Sequence, residues 1–289
     1  MQGIRVRLGT TSVLAVAVVL IACGGPASTT APSPMPGVQI AKLEVDASVT
    51  GGQVAHGTVT LSDPAPQSGL AVTLASDNPA LTIPSLLTIP AGATSGSFDI
   101  ATTRVSIASD VTISAETGGA RRTASLRLKI DPAGLTPTAR YTLGFSALRE
   151  NRAAFTTSAE SGFTVSIVSA DWLAITTYGN PQPSIQFYSP AGTTMTGEIR
   201  ITAGGAPFWL SSLDFYSSTT KIPYVIEGSL SADPMFTVIN VLGNTFGAFV
   251  RTANPRADTP VDALVIRLSN PSAPCCSNPM GVDNIVLSR

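Results

Sequence analysis

The chain has 289 residues, enough for two domains of ordinary size, and 44% of them are hydrophobic, enough to build folded cores. Only 12% are charged, about half of the fraction typical of soluble proteins, and the net charge at pH 7 is -1. Because nucleic-acid binding needs a basic surface, we expect no nucleic-acid partner.

The N-terminus has the pattern of an export signal. Arg5 and Arg7 precede an apolar run at residues 13–22, which ends directly before Cys23. A positive start, a short apolar stretch and a small residue before a cleavage point are typical of secretory signals. The run is too short to span a bilayer, so we expect residues 1–22 to be a signal peptide.

The end of that signal, with the sequence LIAC at residues 20–23, resembles the lipobox of bacterial lipoproteins. The resemblance implies that Cys23 is acylated, becomes the new N-terminus and anchors the protein to a membrane. Gly24 is not the aspartate often linked to inner-membrane retention, which favours the outer membrane in a cell that has one. The alternative is an ordinary secretory signal followed by a chance cysteine.

An uncharged tether and a first β domain follow. Residues 23–41 are rich in Gly, Pro, Ser and Thr up to Val38, which predicts a flexible tether. Residues 42–131 contain about seven short runs of alternating hydrophobicity, separated by Gly, Pro and Asn turn signals. This spacing predicts a β-sandwich. The stretches GTVTLSDPAPQSGLAVTLASDNPA and PAGATSGSFDI resemble the Ig-like repeats of bacterial surface and secreted proteins, which serve mostly as spacers or interaction modules.

A second linker, residues 132–140, leads to a second β region at residues 141–289. About ten longer strands are predicted there, among them 163–169, 172–178, 246–252 and 282–288, and this number suits a jelly-roll sandwich. The stretches FWLSSLDFYSSTTKIPYVIEGSL, GNTFGAFV and CCSNPMGVDNIVLS resemble the jelly-roll domains of exported bacterial proteins. That family shares its architecture with carbohydrate-binding modules of the galactose-binding type, a similarity of fold that carries function only weakly.

Few residues could carry catalysis. The single histidine, His56, lies in the Ig-like region, and no nucleophile or orienting group can be assigned to it. A glycosidase needs two carboxylates across a cleft, and nothing selects a pair among the sparse acids of residues 141–289. We therefore expect neither an enzyme nor a redox or nucleotide cofactor.

Asp283 is the best candidate for a metal ligand. Strand alternation puts it on the same face as Ile285 and Leu287, which we expect to face the core, and a buried acid must be paired or bound to metal. Carbohydrate-binding jelly rolls often place a calcium-ligating aspartate in this last strand, and Glu160 would be the second ligand by the same resemblance. The alternative is a hydrogen-bonded or ion-paired aspartate.

Cys275 and Cys276 are adjacent in a predicted loop. Neighbouring Cα atoms lie ~3.8 Å apart, so a vicinal disulfide is strained but feasible, and an exported protein meets oxidising conditions. Two intermolecular bridges or a pair of free thiols remain alternatives. A metal site would need further soft ligands.

Two aromatic side chains form the predicted ligand-binding platform. Trp172 and Tyr178 share the strand face opposite Leu173 and Ile175, and an exposed pair of rings would stack on sugar. The alternative is packing between strands, which aromatic residues also favour.

The sequence thus predicts a non-enzymatic, lipid-anchored surface protein with an Ig-like spacer and a jelly-roll domain that binds a glycan or a surface-protein ligand. The alternatives are a structural envelope component without a small ligand and, less favoured, a carboxylate-dependent glycoside hydrolase.

Overall fold

The computed structural model describes residues 37–178, 182–271 and 276–289, and every regular element in this part of the chain is a β-strand. No helix there is long and apolar enough to cross a membrane. The prediction of an all-β chain built of sandwich-like sheets is confirmed. The export signal, Cys23 and almost all of the tether lie outside the described residues, so what was predicted for them stays a prediction.

The first sandwich contains nine of the described strands: β1 (Ile40–Val45), β2 (Ser48–Thr50), β3 (Val54–Leu61), β4 (Leu70–Ser76), β5 (Leu81–Thr82), β6 (Leu86–Ile89), β7 (Ser95–Thr102), β8 (Ser109–Thr117) and β9 (Ala120–Lys129). One sheet has the order β1-β3-β7-β5, and the other has the order β2-β9-β8-β4-β6. All pairs are antiparallel except β2 with β9, which is parallel. Alternate residues of each strand enter one core, for example Val111 and Ile113 of β8 together with Leu126 and Leu128 of β9.

The second sandwich contains twelve described strands: β10 (Arg140–Leu143), β11 (Thr157–Glu160), β12 (Phe163–Ser169), β13 (Trp172–Ile175), β14 (Ser184–Ser189), β15 (Met195–Thr202), β16 (Trp209–Ser217), β17 (Ile222–Leu230), β18 (Asp233–Leu242), β19 (Phe249–Ala253), β20 (Ala263–Asn270) and β21 (Asn278–Ser288). One antiparallel sheet has the order β13-β14-β21-β16-β19, and β10 also pairs with β21. The other has the order β11-β12-β15-β20-β17-β18. The Ig-like and jelly-roll assignments of the two sandwiches remain predictions.

A single aromatic-rich core lies between the two sheets of the second sandwich. The rings of Phe163 and Phe208 meet edge to face, with centroids 5.5 Å apart. Gly197 on β15 is required by this packing, because a Cβ atom there would lie 2.6 Å from the Phe187 ring. Only glycine therefore lets the two sheets approach at this point.

Two bulges interrupt the alternation where β16 pairs with β21. Ser212 lies opposite Val286, but Asp214 lies opposite Asp283, so β21 has one extra residue between these pairs. A compensating shift occurs on β16 between Leu210 and Ser212. A bulge reverses the facing of every later residue relative to simple alternation. This local geometry decides which residues of the last strand reach the core.

The two sandwiches belong to one compact unit, Val38–Arg289, although no strand of one pairs with a described strand of the other. They meet directly after β9. The Ile130 backbone N–H donates to Ser231 Oγ at 2.9 Å in a buried position, and Lys129 Nζ lies 2.7 Å from Asp233 Oδ2. The domain boundaries at 131 and 141 and independent folding of the two parts remain predictions.

Candidate ligand-binding face

The candidate site lies on the outer face of the sheet β13-β14-β21-β16-β19. Phe187, Val282 and Phe215 point from these strands into the core, so their neighbours in sequence point outward. Gln186, Gly281, Tyr216 and Phe249 are consecutive partners across four strands and form one outward row. We call the outer surface of these five strands the aromatic face.

Gly281 contributes no side chain of its own to the centre of this row. A Cβ atom at this position would lie 2.4 Å from the Ile185 carbonyl oxygen and 2.6 Å from Gln186 Cγ. No other residue fits without moving backbone, because real Cβ contacts are never this short. The Gln186 side chain therefore packs over Gly281, and this part of the row is buried, with Gln186 2% and Tyr216 7% exposed.

Three rings cluster at one end of this row. The centroids of Tyr178 and Tyr216 are 5.4 Å apart, and those of Tyr216 and Phe249 are 5.0 Å apart in a stacked arrangement. The Tyr178 hydroxyl donates to the Gly247 carbonyl, which ties the segment after β13 to the loop before β19. Tyr178 remains 43% exposed, whereas Tyr216 is almost fully buried beneath it.

Burial of Tyr216, reinforced by the neighbouring phenols Tyr178 and Tyr188, raises the pKa of its hydroxyl above the usual value. The group thus stays protonated at neutral pH and retains a donor. A protonated phenol that lines a pocket can donate to a ligand oxygen as well as accept from a ligand hydroxyl.

Gln186 and Tyr216 of this row border a pocket of about 200 Å³, whose polar lining also includes Asn151, Arg152 and Thr177 as well as tyrosine hydroxyls. None of the described residues that line it is an aspartate or a glutamate. The Arg152 guanidinium lies over the Tyr188 ring, 4.9 Å from its centroid, and donates to the Tyr188 hydroxyl at 3.3 Å. The pocket therefore combines aromatic surface with neutral and cationic donors.

Phe246 directly precedes Gly247, the acceptor of the Tyr178 hydroxyl, and is the most exposed large hydrophobic side chain described, at 85%. Its backbone adopts a φ of 50°, a left-handed conformation unusual for a bulky residue. The loop is fixed from both sides, because Ser217 N–H donates to Thr245 Oγ1 at 2.9 Å and Gly247 N–H donates to the Ser217 carbonyl at 3.1 Å. Phe246 is thus held in solvent by a rigid loop.

Sequence reasoning placed Phe246 at the start of a strand, and this was wrong: β19 begins at Phe249. The signal that could have found the loop is the sequence GNT before Phe246 and the Gly247 after it, a run of turn-forming residues. Phe249, Tyr216 and Tyr188 were likewise not predicted as parts of one site, because the pairing of β14, β21, β16 and β19 cannot be read from local sequence.

Of the two predicted platform residues, Tyr178 is exposed on the aromatic face and Trp172 is buried in the core. Trp172 is 1% exposed, and its ring packs against Phe187 in the core with a centroid distance of 4.9 Å. Its indole N–H donates to the Ser169 carbonyl at 3.0 Å. The assignment of Trp172 to the ligand platform is wrong, because β13 ends at Ile175 and the parity assumed from Trp172 to Tyr178 does not continue beyond it.

Asp283 is fully buried, but the bulge in β21 turns it away from the face of Ile285 and Leu287 predicted for it. It lies opposite Asp214, whose carboxylate accepts bonds from Arg251 at 2.7 and 3.2 Å and from Asn284 Nδ2 at 2.9 Å. One Asp283 oxygen accepts the Asn284 backbone N–H at 2.7 Å.

Glu160, the second predicted calcium ligand, uses both oxygens within the protein: it accepts the Phe145 N–H at 3.0 Å and the Ser146 hydroxyl at 3.3 Å. Within the described residues, no group of three or more His, Cys, Asp or Glu side chains could hold a metal ion. The described residues thus assemble no such set of ligands around Asp283 or Glu160, and calcium binding by these two residues remains a prediction.

The cysteine pair is described only in part. Cys276 is exposed and has a φ of 63°, whereas Cys275 lies outside the described residues. The vicinal disulfide and its alternatives therefore stay predictions.

Comparison with known proteins gave structural matches alone: no protein-family model and no curated protein matches the chain. Among solved structures, a carbohydrate-binding module of family 29 covers 52% of this chain and 88% of its own, with 15% identity and a TM-score of 0.33. A mutant of such a module covers 52% and 91%, with 15% identity and a TM-score of 0.32. Tripeptidyl peptidase 2 matches over 87% of this chain but 20% of its own, with 8% identity and a TM-score of 0.29. Scores this low support no inference about function.

Proposed function

We propose that the second sandwich is a non-catalytic carbohydrate-binding domain and that the aromatic face is its binding site. The observation that carries the proposal is the pocket beside this row, where the rings and hydroxyls of Tyr178, Tyr188 and Tyr216 lie next to the donors of Asn151 and Arg152. A sugar ring presents C–H groups on its faces and hydroxyls around its edge. Aromatic rings suit the faces, and amide and phenol groups suit the edge.

The geometry favours binding over hydrolysis. Hydrolysis of a glycosidic bond needs two carboxyl groups that reach the substrate, and the described lining of the pocket contains none. Asp214 and Asp283 do face each other, but they are 4% and 0% exposed, and Asp214 is bonded to Arg251 and Asn284. These two acids thus support the sheet beneath the face.

Phe246 gives the sharpest test. Loss of one exposed stacking anchor should weaken glycan binding about tenfold or more, since such anchors dominate interface energies. We expect Phe246→Ala to have this effect and to leave the free energy of unfolding unchanged, because the ring is 85% exposed. Binding would be measured by glycan array and calorimetry with the chain from residue 23 onward, carrying Cys23→Ser.

Ile239→Ala is the matched control. Ile239 is a similarly exposed apolar side chain, at 76%, but it lies on β18 of the opposite sheet. Its loss should leave glycan binding intact. Equal effects of the two substitutions, or the absence of any bound glycan, would contradict the proposed site and function respectively.

We further propose that the domain is displayed at the cell envelope through a lipid on Cys23, with the first sandwich as the spacer. The support is the LIAC sequence after the apolar run and the uncharged tether that follows it. Cys23→Ser should move the protein from the membrane fraction to the soluble one. A mutant that is processed normally and still sediments with membranes would show that another feature anchors the chain.

A further inference from the structure

The charges around the pocket distinguish between classes of glycan. Arg152 is the one charged residue among the described residues that line the pocket. Its backbone is fixed in a left-handed conformation, with a φ of 62°, and its N–H donates to the Ala174 carbonyl at 2.7 Å. The guanidinium is further held against the Tyr188 ring and hydroxyl. The cation is therefore positioned before any ligand arrives.

Arg152 keeps donors available for a ligand. A guanidinium has five N–H donors, and the bond to Tyr188 uses one of them. Within the described residues, Arg152 makes no ion pair with a carboxylate, unlike Arg251 and Arg267. Stacking on an aromatic ring also favours a planar guanidinium that binds carboxylate through two parallel bonds.

The buried acids of the aromatic face act at a distance from this cation. Asp283 on β21 lies opposite Ser184 on β14, because the neighbouring residues Ile185 and Val282 are partners. The Arg152 guanidinium lies over the ring of Tyr188, which is also on β14. Four residues of β-strand separate the two levels, about 13 Å at ~3.3 Å per residue. That separation is beyond hydrogen-bond reach of the Arg152 guanidinium, and Asp214 is already paired with Arg251.

We propose that the preferred ligand is a carboxylated glycan, whose uronate group pairs with Arg152 while its sugar ring lies against the tyrosines of the pocket. This inference rests on the proposed function and names its ligand class. A neutral sugar would leave the guanidinium without an anionic partner, whereas a uronate would supply both acceptor oxygens of a two-pronged pair.

The test compares polygalacturonate and alginate with methyl-esterified polygalacturonate, neutral dextran and dextran sulfate, using the chain from residue 23 with Cys23→Ser. We expect at least one uronate polymer to bind about tenfold or more tightly than the ester and dextran, as for other hydrogen bonds to charged groups. Arg152→Ala should lower the affinity for that uronate polymer about tenfold or more and so remove this preference. Arg152→Lys should restore it only in part, because lysine lacks the planar fork.

Arg200→Ala is the control for general charge, because Arg200 is an exposed arginine on β15 of the opposite sheet. Equal affinity for the uronates and the ester, an Arg152→Ala variant with unchanged preference, or an Arg152-dependent preference for dextran sulfate alone would each overturn the assignment to uronates. In those cases glycan binding itself would stand. A chain that binds no glycan in this set or on a broad array would remove the proposed function and this inference together.

Discussion

At the scale of single residues, alternation predicts facing only while a strand continues. Leu126 and Leu128 of the first sandwich alternate with polar residues in the sequence, and both side chains enter the core. Trp172 and Tyr178 were joined by the same reasoning, but β13 ends at Ile175 and the two side chains separate into core and surface. Local sequence does not show where a strand stops when no glycine or proline marks the end. That is why the two residues predicted to share one exposed face lie on different sides of the sheet surface, Trp172 in the core and Tyr178 in contact with solvent.

The buried position of Trp172 makes its role testable by stability. Trp172→Ala should lower the free energy of unfolding by about 3–5 kcal/mol, because it removes a fully buried ring and leaves a cavity beside Phe187. Urea unfolding of the chain from residue 23 with Cys23→Ser would measure this.

Tyr178→Ala provides the contrast, since that ring is 43% exposed. It should reduce glycan binding and cost less stability. If Trp172→Ala instead left the unfolding curve unchanged and abolished binding, the ring would belong to the ligand site after all.

At the scale of elements, long-range pairing decides the site. The bulge between Asp283 and Val286 places Asp283 beside Asp214 and away from the core, and Asn284 within it adopts a left-handed φ of 45°. A buried polar network further fixes the start of β21: Asn278 Nδ2 donates to Asn270 Oδ1 at 2.8 Å and to Thr220 Oγ1 at 2.9 Å. Asn278 Oδ1 accepts the Thr219 N–H at 2.9 Å. Such satisfied networks hold strand ends in one register, which keeps Gly281 level with Tyr216.

The existence of β-strands was predictable because runs of alternating hydrophobic and polar residues separated by turn residues have few other solutions. The order of strands within the sheets was not. The row of the aromatic face combines residues that lie far apart in the sequence, between positions 186 and 281. They become neighbours only through β21, which pairs with β14 on one side and with β16 on the other. The candidate site is thus a product of non-local pairing, whereas its individual aromatic residues were visible in the sequence.

At the scale of the whole molecule, two separate cores meet through a small joint. Ser231 is 3% exposed and accepts the Ile130 N–H, while its own N–H donates to Asp262 Oδ2 at 2.8 Å. The ion pair between Lys129 and Asp233 lies nearer the surface, where such pairs contribute roughly 0–1 kcal/mol. The buried hydrogen bond is therefore the stronger link between the sandwiches.

We expect fragments 42–131 and 138–289 each to fold alone with a cooperative thermal transition, because each sandwich has its own core.

In the intact chain, Ser231→Ala leaves the Ile130 N–H buried without its acceptor, which should destabilise by about 1–3 kcal/mol. In fragment 138–289 Ile130 is absent, so the same substitution should have little effect. Calorimetry of the four proteins separates these contributions, with Asp233→Asn as a control for the exposed ion pair. Equal destabilisation of chain and fragment would mean that Ser231 acts only within the second sandwich, and a second fragment that folds only when attached to the first would show that the domain boundary is wrong.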